Sequence, residues 1–156
     1  MRENPKIIKS LELISEMRTA KARGGEKNII AWMPDEYKNS ADFDEKGGHD
    51  YYTDKKRGAG ENWDNKMIFS SMDSVAMFDA FHFCEKFLTQ PLCIVVGDKV
   101  GSFNAMKDSK NLYERAASKD KKIFVLENVS HFDLYDNEKI VDSAVEKFAE
   151  FFNRVL

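Results

Sequence analysis

Two short stretches place groups capable of acid–base chemistry at the ends of apolar runs. Pro91-Leu-Cys-Ile-Val-Val-Gly97 delivers Asp98, and Lys122-Ile-Phe-Val-Leu-Glu127-Asn-Val-Ser delivers His131. A neutral imidazole can take the proton from a hydroxyl, and a carboxylate can orient that imidazole. His131 is therefore a candidate general base and Asp98 a candidate orienting acid. Each has a plainer reading. His131 can be a surface loop histidine stabilised by Asp133 or Asp136, and Asp98 a turn residue bonding its own backbone. Asp133 is a second candidate acid, or the residue that shapes the loop.

A base needs something to deprotonate, and here the chain is silent. No Gly-x-Ser-x-Gly turn occurs anywhere in it. Ser130 adjoins His131, and neighbours on an extended segment point apart. Ser102 lies in the turn after Val96 without flanking elbow glycines. Cys93 on a buried strand and Cys84 in a Phe-rich helix read as packing thiols. His49 and His82 lack a ligand partner three or four residues on, so no metal site is expected. No cofactor is expected either. Tyr52, Arg57 and Trp63, with Tyr51, could line an acyl or carboxylate pocket, or simply pack a cap against a sheet.

The elements that must position these groups follow from periodicity and breakers. Ile7, Leu11, Ile14 and Met17 predict a helix over 5–23, ended by Gly24-Gly25. Asn28–Met33 is a short apolar stretch closed by Pro34. Residues 35–62 are polar and aperiodic and read as a long loop or lid. A helix is expected from Ser71 to Phe87, with Ser70 or Ser71 at its cap. Pro91 then starts the strand Leu92–Val96, the turn Gly97–Ser102 follows, and a helix spans Asn104–Ser118. Lys121–Glu127 is the second strand. Asp136 or Asn137 caps a closing helix with the stripe Val141, Ala144, Val145, Phe148, Phe152 and Val155. The fold class is α/β: two parallel strands with flanking helices, residues 1–65 forming a helix-and-loop cap and 66–156 the core of one domain.

Composition sets the outer bounds. The 156 residues are 42% apolar and 33% charged with net charge −3, which suits one globular domain and gives no electrostatic reason to expect nucleic acid or an anionic membrane. No apolar run approaches a bilayer span. Met1–Lys6 has no signal-like apolar stretch, and two cysteines in apolar settings suit reduced thiols. A cytoplasmic location is expected. Lys119–Lys122 reads as a solvated charge run.

With this order in view, residues 50–153 resemble the carboxyl-terminal half of an α/β-hydrolase, and are similar to the dienelactone-hydrolase-like group of serine esterases and peptidases. Asp50-Tyr-Tyr, Phe78-Asp-Ala-Phe, Pro91-Leu-Cys-Ile-Val-Val-Gly and above all Val129-Ser-His-Phe-Asp-Leu-Tyr-Asp136 carry the resemblance. Residues 14–34 look like the helical segment such proteins insert before their last strands. The resemblance implies ester, lactone or amide hydrolysis through an acyl-serine, with His131 as base. It also implies an acid three residues after the glycine, where this chain has Val100, while Asp98 follows Gly97 directly. The elbow serine and its oxyanion donors are not carried over. Three functions are expected from this: a hydrolase-lineage protein, truncated or split and inactive alone; the rear subunit of a split serine hydrolase acting on a small ester or amide; or a binding and assembly module. Two strands leave an open sheet edge, so a homodimer or a separate amino-terminal half is the expected partner.

Overall fold

The computed structural model describes residues 5–34, 36 and 42–156, and the side chains from residue 9 onward. In chain order its elements are α1 (Pro5–Ala22), β1 (Ile29–Ala31), α2 (Phe43–Thr53), β2 (Lys66–Ile68), a 3-10 turn (Phe69–Ser71), α3 (Met72–Met77) and α4 (Cys84–Phe87). There follow β3 (Leu92–Gly97), α5 (Ala105–Arg115), β4 (Lys121–Leu126), α6 (Asp133–Asp136) and α7 (Glu138–Val155). They group into two compact units, Met1–Pro34 with Trp63–Ala80, and Asp35–Asn62 with Phe81–Leu156. The α/β class holds. Among the described residues no helix is long and apolar enough to cross a membrane.

The first unit is small. Ile14 is buried in α1, whereas the Ile7 side chain lies outside the described set. The double glycine ends the helix as predicted: Gly24 takes φ 89°, and the N–H of Gly25 reaches back to the Ala20 carbonyl at 2.9 Å. That is the left-handed cap for which glycine is suited. The apolar Asn28–Met33 stretch supplies β1, which pairs antiparallel with β2, Ile30 opposite Met67. β2 escaped the sequence reading because three residues, one of them charged, are too short to show a period. Asn65 closes the pair with both ends of its amide, accepting from the Met33 N–H and donating to the Met33 carbonyl, each at 2.8 Å.

The single helix expected over Ser71–Phe87 does not form. α3 stops at Met77, Phe78 is extended, and Phe83 sits in the left-handed region at φ 61° before α4 begins. The apolar spacing implied one buried face, yet the stretch divides between the two units after Ala80. Ser71 makes no side-chain cap; Asp73 instead accepts from the Ser74 N–H at 2.6 Å and pairs with Arg18.

In the second unit β3 and β4 pair in parallel, Ile94 opposite Ile123 and Gly97 opposite Leu126. No further strand joins this sheet among the described residues. α5 packs on both strands and α7 on β3. The buried line of α7 differs from the stripe expected. Phe151 is 2% exposed and Ala144 is buried, while Val145 and Phe152 face outward. Positions 144, 148, 151 and 155 step by three and four, and 145 and 152 fall on the flank of that line.

The polar 35–62 segment is not a loop throughout. Residues 35 and 37–41 lie outside the described set, and α2 follows them. Asp42 caps it, accepting from the N–H groups of Asp44 and Glu45 at 2.9 and 3.2 Å. Gly47 and Gly48 hid the helix from a periodicity reading, and Gly47 has a packing reason. A Cβ there would come within 2.7 Å of the Phe132 ring.

Candidate functional site

Both post-strand loops leave the carboxyl edge of the parallel pair, where open α/β sheets gather ligands. They are tied to each other. The N–H of Asp98 donates to the Leu126 carbonyl at 3.1 Å, and that of Lys99 to the Val129 carbonyl at 3.0 Å. Gly97 permits the approach, since any side chain there would strike the Val129 carbonyl oxygen. α2 binds the outer part of the first loop. Asp42 accepts from the Ser102 N–H at 3.1 Å, and the buried Asp44 from the Phe103 N–H at 2.8 Å. Gly47 and Tyr51 of α2 lie on Phe132, at the root of the second loop.

That second loop presents His131. Val129 and Phe132 are buried on either side of it, and Asn128 turns the chain at φ 58°. Ser130 donates its N–H and its hydroxyl to Asp133 Oδ2, both at 2.7 Å, and Ser130 Oγ accepts from the Asp133 N–H at 3.2 Å. This closed turn starts α6. Ser130 and Asp133 are consumed in shaping it, so Asp133 orients a turn and not the imidazole. His131 Nε2 lies 3.0 Å from the Tyr135 hydroxyl, one helical turn on. Its ring meets Phe103, Phe132 and Tyr135 at centroid distances of 5.8, 5.1 and 5.1 Å.

The remaining sequence candidates fall into three situations. Asp98 is exposed and shares no hydrogen bond or ion pair with His131; no carboxylate among the described residues does. Tyr52 and Arg57 do come to the histidine's surroundings. Tyr52 packs edge-on to Phe132 at 6.2 Å and adds to the rise of the Tyr135 phenol pKa. Arg57 grips Asp136 through Nε and Nη2 at 2.6 and 2.9 Å and lies over the Tyr51 ring. That pairing raises the guanidinium pKa and lowers that of the Asp136 carboxyl. Trp63 belongs to the other unit.

Tyr135 is the member the sequence reading passed over. Burial first, then the charge of and hydrogen bond with Tyr52, and finally Tyr51, push its phenol pKa up, so it stays a neutral O–H. Its signal was legible as His131-x-x-x-Tyr135, the spacing that stacks side chains across one turn. The thiols are quiet: Cys84 is buried, Cys93 half-buried, both unpaired, and burial raises the Cys93 pKa.

No protein-family model matches the chain. The uncharacterized protein YcjY of Escherichia coli (strain K12) is 31% identical over 156 residues, across 98% of this chain and 50% of YcjY. Among solved structures, that of DcsB in complex with its substrate analogue superposes with a TM-score of 0.68 over 96% of this chain and 52% of DcsB, at 18% identity. The DcsB likeness is one of fold. This chain spans about half the length of each of these two proteins.

Proposed function

We propose that this chain carries the histidine-bearing half of a serine-hydrolase site of α/β-hydrolase lineage, with His131 as general base and the nucleophilic serine supplied by the other half. One observation carries the reading. His131 stands at the carboxyl edge of a parallel β-pair, presented there by the closed Ser130–Asp133 turn. The matches over about half of YcjY and of DcsB suit a site shared between two halves of one fold. Two free thiols suit a reducing cytoplasm.

In the proposed reaction a serine Oγ attacks the carbonyl of a small ester, lactone or amide while its proton passes to His131 Nε2. The histidine returns that proton to the departing alcohol or amine, leaving an acyl-serine. Water then repeats the sequence and frees the acid. Asp98, the acid candidate for Nδ1, is exposed and bonds no imidazole nitrogen, so its share in this proposed reaction is a weak orienting one. Tyr52 and Arg57 serve the site by fixing its framework, since the guanidinium is already committed to Asp136.

The test joins the part of YcjY that this chain does not match to the chain itself. Fluorophosphonate labelling and turnover of p-nitrophenyl esters are expected in the chimera, and neither in the chain alone. A folded chimera that shows neither, or one that keeps its turnover after His131→Ala, would sink the proposal.

A second reading, an assembly module, is favoured by the exposed aromatic pair Phe83 and Phe87, the latter 71% exposed. Together with a parallel β-pair that no further strand joins among the described residues, these rings suit association with a second copy or with a separate half. Light scattering that finds only monomer, alone and with the YcjY segment, removes it.

A further inference from the structure

We propose that Tyr135 is a latch on His131: its hydroxyl holds Nε2 in the place a nucleophile's hydroxyl would take, and must yield that nitrogen when the site is completed. The role given to the latch rests on the hydrolase reading above; the contact itself does not.

The geometry makes the hydroxyl a fixed group. Tyr135 sits in α6, a single turn pinned at both ends. Ser130 bonds Asp133 at its start, and Arg57 clamps Asp136 at its finish. Between the anchors the Tyr135 ring is boxed by Tyr51 and Phe132, each at 5.0 Å between centroids, and Tyr52 stands edge-on to Tyr51, also at 5.0 Å. Tyr52 and Arg57 thus act on the histidine through Tyr135 and are positioning residues. The charged groups around this turn, Arg57, Asp133 and Asp136, are all paired within it. None of them faces the imidazole as an ion-pair partner. The hydroxyl is therefore the polar group that controls Nε2 in the chain by itself. Its release needs a side-chain rotation and no unfolding of α6, because both anchors lie on other residues.

Two measurements on the full chain test this. Diethyl pyrocarbonate modifies imidazole nitrogen, and peptide mapping separates His49, His82 and His131. In Tyr135→Phe, which keeps the ring, His131 is expected to react about fivefold faster, the change set by losing one ordinary hydrogen bond, while His82 reacts as before. Equal His131 rates in both proteins overturn the latch. Should the variant fail to fold, the 15N spectrum of the unmodified chain decides. One dominant imidazole tautomer with a hydrogen-bonded Nε2 supports the latch, and the tautomer mixture of a solvated histidine overturns it. Neither measurement involves a nucleophile, so their failure leaves the hydrolase reading standing. Failure of the chimera, in turn, removes the role given to the latch and leaves the Tyr135–His131 contact standing.

Discussion

The loops after β3 and β4 leave paired strands at the same end of one sheet, and they are finished in different ways. The β4 loop is closed around His131. Ser130 and Asp133 bond each other, Phe132 is 4% exposed beneath, and the His131 ring is held by a hydroxyl and three aromatic neighbours. The β3 loop is fixed chiefly through its backbone, by carbonyls of the β4 loop and by the carboxylates of Asp42 and Asp44, with the Phe103 ring set against His131 and Phe132. Its Asp98 side chain is left in solvent. A group held by packing keeps its place without a partner protein, whereas an exposed carboxylate takes its place only when something comes to meet it. The proposed base is preorganised here and the proposed acid is not.

The largest expected effect tests that contrast in the chimera. His131→Ala should lower kcat by about a thousandfold or more, since general-base catalysis contributes on that order. Asp98→Asn is expected to cost less than about tenfold, against the roughly ten-thousandfold loss that follows when a fully engaged triad acid is neutralised. Steady-state kinetics on one p-nitrophenyl ester gives both numbers. A loss for Asp98→Asn as large as that for His131→Ala would show that the β3 loop rearranges on assembly, and the contrast would then belong to the isolated chain only.

Next in size is the seam between the loops. Gly97 has no room for a Cβ against the Val129 carbonyl, which is backbone and cannot rotate away. Gly97→Ala is expected to cost about 1–3 kcal/mol, the usual range for overpacking, read from urea unfolding. Gly60, where a Cβ meets nothing within 4 Å, is the control and should tolerate alanine. Asp44→Ala falls in the same range for a different reason. It removes a carboxylate that is 2% exposed and strands the Phe103 N–H, a loss of about 1–3 kcal/mol.

These residues also mark where sequence reading worked and where it ran out. β3, β4 and α5 were legible because a period repeated over six to eleven residues outweighs local noise. His131 was legible because a strand, a short loop and a helix bracket it. α2 was not, although Asp42-Phe-Asp-Glu45 is an N-terminal capping pattern. Two mid-helix glycines lowered its propensity, and Gly47 serves a contact with Phe132, some 85 residues away in the chain by the numbering. The broken helix at 71–87 fails for the complementary reason. Its stripe of Met, Val and Phe is a burial signal without a core behind it, and Phe78 ends 77% exposed. Tyr52 and Arg57 were picked out for chemistry they do not need to perform directly. Composition identifies a residue able to bind a carboxylate, and only coordinates reveal that Asp136 already occupies it.

The smallest effect concerns how α2 grips the β3 loop as the pH falls. Asp42 sits at the helix cap, where burial pushes its carboxyl pKa up, but the N–H groups of Ser102, Glu45 and Asp44 outweigh that and leave it lowered. A carboxyl whose folded pKa lies below its unfolded value of about 3.9 stabilises the fold fully above that value. The contribution is lost as the pH drops through the folded pKa, so the window lies below roughly pH 4. Asp42→Asn keeps an acceptor oxygen at the cap and removes the charge. The variant should therefore trail the parent by about 0.3–1 kcal/mol at neutral pH, the scale of a charge at a helix amino terminus, and the two should converge on acidification. Urea midpoints for both proteins at several pH values measure the difference, in which the other acid groups of the chain cancel. A gap that stays constant with pH would mean that the Ser102 and α2 N–H groups need only an oxygen, charged or not. The β3 loop would then be held by hydrogen-bond geometry and not by charge.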